Sequence, residues 1–328
     1  MRSRFPWPVL LTALLAPGHA YTAQSTVPTR VTFSSVSRNH HSWNAPLAKL
    51  RPGERHPIVS STQIHVLSKQ QDEQDRFAQR RRLSLRFLYI GLTYLCFQMV
   101  LWMSLAPATW LVLRSPFHSK LTNSLIDYLE GTQNIASAAL IKKFIGRPLI
   151  QMTHMVPGAV WSAIVPFQLH PTFRKNHPKT HKLLGYIFFL CSILSSVGVS
   201  IILGKGLLFE NFFPDLPPVR LSNEPVVIGL SMWFSYTAAR AWHAVLCRRD
   251  IEQHRTWIIR HVASGIWIAL LRLFLLTVDQ VLFPAPTPRT LQRSVFGNTS
   301  KVAFLVCVVV AEYAIRMIRC ENRFETLR

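Results

Sequence analysis

The sequence has few charged residues, and acidic residues are the scarcest of them. Only 16% of the 328 residues are charged, against roughly 25% in an average soluble protein, whereas 49% are hydrophobic. Asp and Glu together number 15 against 37 Lys and Arg, which gives a net charge of +22. The basic residues stand in short loops between apolar runs and not on a soluble domain. Their distribution therefore indicates membrane topology and argues against nucleic-acid binding.

The sequence also lacks the motifs of soluble enzymes and of metal sites. It contains no GxGxxG, P-loop, GxSxG or HExxH pattern. Its five cysteines lie within or beside apolar runs, without CxxC or CxxxC spacing. A nucleotide-binding or nucleophilic enzyme, a disulfide framework and a zinc site are therefore not expected. A component of a membrane oxidoreductase stays open, because a bound cofactor leaves no motif of this kind.

The first 53 residues contain no Asp or Glu and are rich in Ser, Thr and Arg, which is typical of a targeting leader. Arg2 and Arg4 precede an apolar stretch, Pro8 to Pro17, that is too short to span a bilayer. Two interpretations stay open: a mitochondrial presequence, or a signal peptide followed by a plastid transit peptide. The predicted location is an organelle membrane, plastid or mitochondrial inner, with a secretory or plasma membrane as the alternative.

Six apolar segments predict an all-α polytopic bundle, because the backbone in lipid must satisfy its own hydrogen bonds. These segments are Phe87–Leu113, Pro148–Leu169, Leu183–Leu203, Val226–Val245, Trp257–Phe283 and Val302–Ile318. The predicted divisions are a disordered targeting leader at 1–53, a polar basic juxtamembrane segment at 54–86, the first spanning helix with an outer loop at 87–147, a four-helix membrane core at 148–283, and an outer loop, last spanning helix and basic tail at 284–328.

The loops alternate in charge, with the more basic ones on the side that we call inside. Both ends of the membrane region face that side. On the outer side, Leu121 to Ile145 mixes apolar and polar residues. This segment is either an amphipathic helix along the interface or an ordinary ordered loop.

Four polar residues of the fifth segment fall on one helical face. His254, His261, Arg272 and Asp279 are spaced so that, at about 100° per residue, they form a single stripe. An ionised side chain in mid-bilayer costs at least about 2.5 kcal/mol, so the stripe should face protein or a water-filled cavity. His154 is predicted at a depth similar to that of Arg272, in the outer half, where the two could meet.

A second group of polar residues is predicted nearer the inside. It consists of His181, Arg240, His243, His261 and Arg260, which lie near the inner ends of three helices.

Two short strings carry a resemblance to a known family. Residues 181–186, HKLLGY, are similar to an H-R-x-x-G-R signature, and residues 254–260, HRTWIIR, are similar to H-R-x-W-M-x-R. With His154 upstream and Arg272 downstream, they resemble a family of bacterial and fungal predicted membrane proteins of unknown function. The resemblance covers about Pro148 to Phe283 and implies the four-helix core but no activity. Lys182 and Tyr186 replace Arg, and Ile258 replaces Met.

One functional interpretation is redox chemistry with a b-type haem or a quinone. Neutral imidazoles from facing helices would be the axial ligands of the haem. By depth, His243 and His261 form the best pair, and His154 or His181 are substitutes. Arg240 and Arg260 would neutralise the propionates at the inner surface.

Two other interpretations stay open beside it. In the first, the polar stripe lines a pathway for an anionic solute or for protons, with Arg272 as a fixed cation and Asp279 and His154 along the same path. In the second, the protein is structural: Arg272 pairs with Asp279 or with helix carbonyls, and the interfacial histidines cap helices or meet lipid headgroups. The lipid bilayer is the only predicted partner, a small-molecule ligand is open, and the sequence predicts no oligomeric state.

Overall fold

The computed structural model describes residues 61–105, 116–132, 138–212, 215–216, 224–281 and 288–326. Within these residues the chain forms helices and no strand, which confirms the predicted all-α fold. The predicted leader at 1–53 lies outside them. The chain divides into two units, Met1–Glu73 and Gln74–Arg328. Of the first unit only the start of one helix is described, and all contacts given below lie within the second.

Ten α-helices, one π-helical turn and one 3-10 turn make up the described residues. They are α1 (Ser61–Leu105), α2 (Pro116–Thr132), α3 (Ala139–Lys142), α4 (Pro148–Ile150), the π-turn (Gln151–Met155), α5 (Val156–Leu169), α6 (Pro171–Asn176), α7 (Pro178–Gly204), the 3-10 turn (Phe209–Phe212), α8 (Glu224–Leu246), α9 (Ile251–Val281) and α10 (Arg289–Thr326).

Within the described residues, the predicted apolar segments lie in helices, and most of these helices extend beyond a predicted end. Helix α7 starts at Pro178, five residues before the predicted start, and α10 starts at Arg289, 13 residues early. Helix α1 ends at Leu105, and residues 106–115 lie outside the described chain. The segment Leu121–Ile145 is largely helical, as α2 and α3, which favours the amphipathic-helix interpretation.

Three helices of the described chain are long and apolar enough to cross a membrane by length and composition. They are α1 over Arg76–Met103, the whole of α7 (Pro178–Gly204) and α9 over Ile251–Leu275. The predicted segment Pro148–Leu169 is divided by the π-turn, so that its last α-helix is only 14 residues long. The total of six spans stays a prediction.

Local sequence features determine where α6, α7 and α9 begin on the inner side. The carboxylate of Asp250 accepts a hydrogen bond from the backbone N–H of Gln253 at 2.8 Å, and thereby caps the start of α9. The Nδ1 atom of His170 accepts one from the N–H of Phe173 at 3.2 Å and caps α6. Helix α7 has Pro178 in its first turn, where the missing N–H costs no hydrogen bond.

Helix α9 is the centre of the bundle, because it packs against α8 on one side and α10 on the other. Helix α7 packs against α5 and the π-turn. These contacts bury one large core that contains Ile150, Phe188 and Leu275. The close approach of α9 to α5 requires glycine at position 265, since a Cβ there would lie 2.7 Å from the Trp161 ring. This packing directs one face of α9 into the bundle.

Candidate functional site

The polar stripe on α9 faces protein along its described length. The Nδ1 atom of His254 lies 2.9 Å from the carbonyl oxygen of Ala241 on α8. His261 is fully buried, and Arg272 is 8% exposed. Asp279 lies in α9, but its side chain is outside the described residues. The prediction that this stripe turns away from lipid is therefore confirmed for His261 and Arg272.

Both ring nitrogens of His261 already have hydrogen-bond partners. Nε2 lies 2.9 Å from the hydroxyl of Ser192, and Nδ1 lies 3.2 Å from the hydroxyl of Thr237 and 3.1 Å from the carbonyl oxygen of Phe234. A carbonyl oxygen only accepts, so the contact with Phe234 assigns the proton to Nδ1. The hydroxyl of Ser192 lies 2.9 Å from both Nε2 and the carbonyl oxygen of Phe188, so the two acceptors share its proton. The aromatic rings of Trp161, Phe188 and Phe234 surround the imidazole, with centroids 5.8, 5.4 and 4.2 Å away.

The structure does not bring His243 and His261 together as an axial pair. His243 is exposed near the end of α8, whereas the His261 ring is buried among hydroxyls, a carbonyl and aromatic rings. Haem iron binds one ring nitrogen of each axial histidine, and the Nε2 atom of His261 faces the hydroxyl of Ser192.

The two arginines predicted to bind propionates stack on a shared tryptophan. The guanidinium of Arg240 lies 5.0 Å from the ring centroid of Trp257, and that of Arg260 lies 4.8 Å from it. Arg260 also forms a two-point ion pair with Glu312 of α10, at 2.6 and 3.0 Å. The sequence analysis missed Glu312, although it is the only acidic residue in the last apolar segment.

His181 lies in the first turns of α7, apart from His261. Its Nδ1 atom is buried without a hydrogen-bond partner, while its carbonyl oxygen accepts a hydrogen bond from Gln168 at 2.9 Å. Arg174 and His254 are near enough to act on it electrostatically. His261 is buried whereas His243 is exposed, so the inner residues do not form one cluster in the described part of the chain.

The π-turn determines the position of His154 in the outer half. An extra residue is accommodated just before Pro157, where the missing N–H interrupts the regular hydrogen bonds of an α-helix. A Cβ atom at Gly198 would lie 2.6 Å from the Cβ of His154, so glycine is required for α7 to approach here. The Nδ1 atom of His154 is buried and has no hydrogen-bond partner. π-Turns of this kind are frequent at functional sites.

Arg272 and His154 share a neighbour that was not predicted from the sequence. Lys143, in the outer loop before α4, is within electrostatic range of both. Burial, and to a smaller extent the positive charge of Arg272, lowers the pKa of Lys143 to about 7. We call Lys143, His154 and Arg272 the outer cluster. The buried side chain of Gln151 holds this loop on the π-turn, by donating to the carbonyl oxygen of Phe144 at 2.8 Å.

The outer cluster is positive and only partly satisfied. The guanidinium of Arg272 lies 4.7 Å from the ring centroid of Trp102, but its Nε and Nη1 atoms are buried without a hydrogen-bond partner. Lys143 Nζ lies 3.5 Å from the carbonyl oxygen of Leu207 and 4.8 Å from the ring centroid of Phe144. Among the described side chains, no carboxylate pairs with either cation.

A cavity of about 120 Å³ lies on the same face of α9, between His261 and Arg272. Helix α9 contributes Ser264, Gly265 and Ile268 to its wall. The other polar lining residues are His154, Trp161, Ser162, Ser195, Ser196 and Ser231. The indole Nε1 of Trp161 has no hydrogen-bond partner. One water needs about 10–15 Å³ of such space, so the cavity has room for several waters or for a small solute.

Comparison with known families gives one match. Residues 151–315 match the model of a family described as "Predicted membrane protein (DUF2306)". This chain belongs to the DUF2306 family. The resemblance predicted from residues 181–186 and 254–260 is confirmed at the level of the family, and the match extends beyond the predicted limit at Phe283 into α10. No curated protein and no solved structure matches the chain.

The DUF2306 region begins at the first residue of the π-turn and includes most of the candidate site. His154, His261, Arg272 and Glu312 lie inside the matched residues. Lys143 lies outside them, as does Trp102. Within the described residues, no group of three or more His, Cys, Asp or Glu side chains is arranged to hold a metal ion.

Proposed function

We propose that this membrane protein binds a small anion at the outer cluster and carries it across the bilayer. The observation that supports the proposal is the pair of buried guanidinium nitrogens of Arg272 that have no partner. A buried cation without a counter-charge loses several kcal/mol of hydration. An anion that accepts a charge-assisted hydrogen bond from one of these two donors would restore part of that loss.

The neighbours of Arg272 favour the same ligand. Lys143 adds a second cation. Because its pKa is about 7, its charge changes with pH near neutrality. A bound anion would raise that pKa, so that binding and protonation favour each other. The unpartnered Nδ1 of His154 would donate to an anion when the ring is protonated and accept from a hydroxyl when it is neutral.

The cavity beside the outer cluster supports movement as well as binding. It extends along α9 towards His261 and is lined by serine hydroxyls, which both donate and accept hydrogen bonds. Its inner end is closed by Phe234 and Trp161, whose rings also contact His261. Transport therefore requires these rings to move, as in gated membrane pathways.

Anion binding is tested on the purified full-length protein in detergent. Apparent melting temperature is measured in nitrate, phosphate or acetate at constant ionic strength. A ligand that binds only the folded state stabilises it by about 2.7 kcal/mol at 100 times its Kd. We expect at least one of these anions to stabilise the wild type and Arg240→Gln, but not Arg272→Gln. Arg240 is the matched control, because it also stacks on a tryptophan ring, at 5.0 Å.

Transport is tested on the same variants in phosphatidylcholine vesicles, by uptake of the anion that stabilises the protein. Uptake by the wild type and Arg240→Gln, with at least a tenfold loss in Arg272→Gln, is the expected result. Equal stabilisation of Arg272→Gln, or no response to any of the three anions, would overturn the anion site. Binding without uptake would retain the site and refute transport.

The haem interpretation is separated from this proposal by an absorption spectrum. A reduced haem band that is lost in His261→Ala would establish a cytochrome. Because His243 is exposed while His261 is buried among protein groups, we expect a colourless protein in the oxidised and the dithionite-reduced state.

A further inference from the structure

A long apolar groove lies between α1 and the pair formed by α9 and α10. Its volume is about 710 Å³, within the range of roughly 300–1,000 Å³ that is usual for ligand sites. Helix α1 contacts α5, where the Tyr89 hydroxyl donates to the carbonyl oxygen of Pro166 at 3.1 Å. The groove is the space that this contact leaves beside α9 and α10. Its walls include Leu92, Leu95, Val262, Ile266, Val306 and Val310.

One end of the groove is positively charged. Arg86 of α1 and Arg255 of α9 line it. Arg255 lies in the first turns of α9, and Arg86 ends the basic run of α1 that begins at Arg76, on the side that we call inside. Arg86 is exposed. From this end, the lining extends along α10 from Ile318 to Val306, which is roughly 18 Å at 1.5 Å per residue. One leaflet of a membrane core about 30 Å thick has a similar depth.

We infer that this groove binds one anionic phospholipid, with its phosphate between Arg86 and Arg255 and an acyl chain along α10. The apolar walls fit a chain, and the arginines fit a phosphate, which accepts charge-assisted hydrogen bonds from guanidinium groups. An electrically neutral quinone would form no ion pair with the two arginines. Neither arginine belongs to the outer cluster, so the lipid site stands independently of the proposed anion transport.

The test compares lipids on delipidated full-length protein in detergent. Phosphatidylglycerol and phosphatidylcholine with identical acyl chains are added in equal amounts, and bound lipid is counted by native mass spectrometry. We expect at least a tenfold preference for phosphatidylglycerol in the wild type. The preference should fall to near unity in Arg86→Gln and in Arg255→Gln. Arg82→Gln, which removes an exposed charge from the same region of α1 outside the groove lining, should retain it.

A second variant tests the chain-binding part without changing charge. Ala314 lines the groove, so Ala314→Phe should fill it and lower the amount of bound phosphatidylglycerol at least tenfold. Val309 is 59% exposed and does not line the groove, so Val309→Phe should bind as the wild type does. Equal binding of the two lipids by the wild type would overturn the inference. So would a co-purifying quinone, or a filled groove that still binds lipid.

Discussion

Replacement of Arg272 by methionine distinguishes an anion site from a structural ion pair. Methionine retains an unbranched apolar side chain and removes the guanidinium. In the absence of a bindable anion, the wild type has buried Nε and Nη1 atoms without partners. Arg272→Met relieves that penalty and loses the stacking on Trp102, which is worth about 0.5–2 kcal/mol. The variant should then be as stable as the wild type or more stable.

The structural alternative predicts a different magnitude. If Arg272 were paired with Asp279, its loss would leave a buried charge and cost about 3–5 kcal/mol. For a folded region of this size, 1 kcal/mol shifts the melting temperature by about 2–4 °C. The structural pair therefore predicts a fall of roughly 6–20 °C. An anion site predicts that the melting temperature of Arg272→Met does not fall in gluconate buffer. It also predicts that this variant loses the stabilisation that nitrate, phosphate or acetate gives to the wild type.

The assay is thermal unfolding in detergent, followed by intrinsic fluorescence. Arg260→Met is the matched control, because it removes an arginine of the same helix that has a carboxylate partner, Glu312. This control should be less stable in every buffer. A fall of 6 °C or more for Arg272→Met in gluconate would refute the reasoning.

Three further predictions follow from the same geometry. Lys143 has a pKa near 7 in the folded protein against an ordinary value of 10.5. Between these pH values the unfolded chain binds more protons than the folded one, so stability should rise with pH from about 7 to 10.5. The same titration should weaken anion binding above about pH 7, and Lys143→Met should remove both effects. If Lys143→Met left the pH profiles of melting temperature and anion binding unchanged, this prediction would be contradicted. Glu312→Gln should destabilise the protein by leaving Arg260 unpaired, and a double-mutant cycle with Arg260→Gln should give a coupling of about 0.5–3 kcal/mol; additive effects in chemical unfolding would show that the pair contributes nothing. Gly198→Ala places a Cβ 2.6 Å from the Cβ of His154 in the π-turn and should lower the stability by about 1–3 kcal/mol. Gly229→Ala, whose Cβ meets nothing within 4 Å, should be neutral or stabilising in the same melting assay.

Much of the fold could be predicted from sequence, because hydrogen-bond satisfaction in lipid allows only helices in long apolar runs. The ends of the helices could not. Apolar residues indicate the depth of lipid, whereas a helix continues wherever capping and packing allow. Helix α7 thus includes His181, which the apolar pattern placed at its border, and α10 continues from Arg289 through a polar stretch.

The candidate site could be predicted only in part. A lone arginine in an apolar run can be identified from the sequence as a candidate site residue. Arg272 is buried, as its position on the α9 face indicated. Lys143 lies in a loop, where one more lysine carries no signal. The pair of His243 and His261 was chosen by depth alone, but the direction of each side chain decides contact, and His243 is exposed. The carboxylate of Glu312 was identifiable as the only acidic residue of its segment.

The π-turn at Gln151–Met155 also changes how this segment must be compared with its relatives. A π-turn is equivalent to one residue inserted into an α-helix, so positions before and after it are out of phase by about 100°. A helical wheel drawn through the whole of residues 148–169 assigns one half to the wrong face. Removal of one residue from the turn would rotate the part before it by about 100° relative to α5, and would change where His154 meets Gly198 of α7.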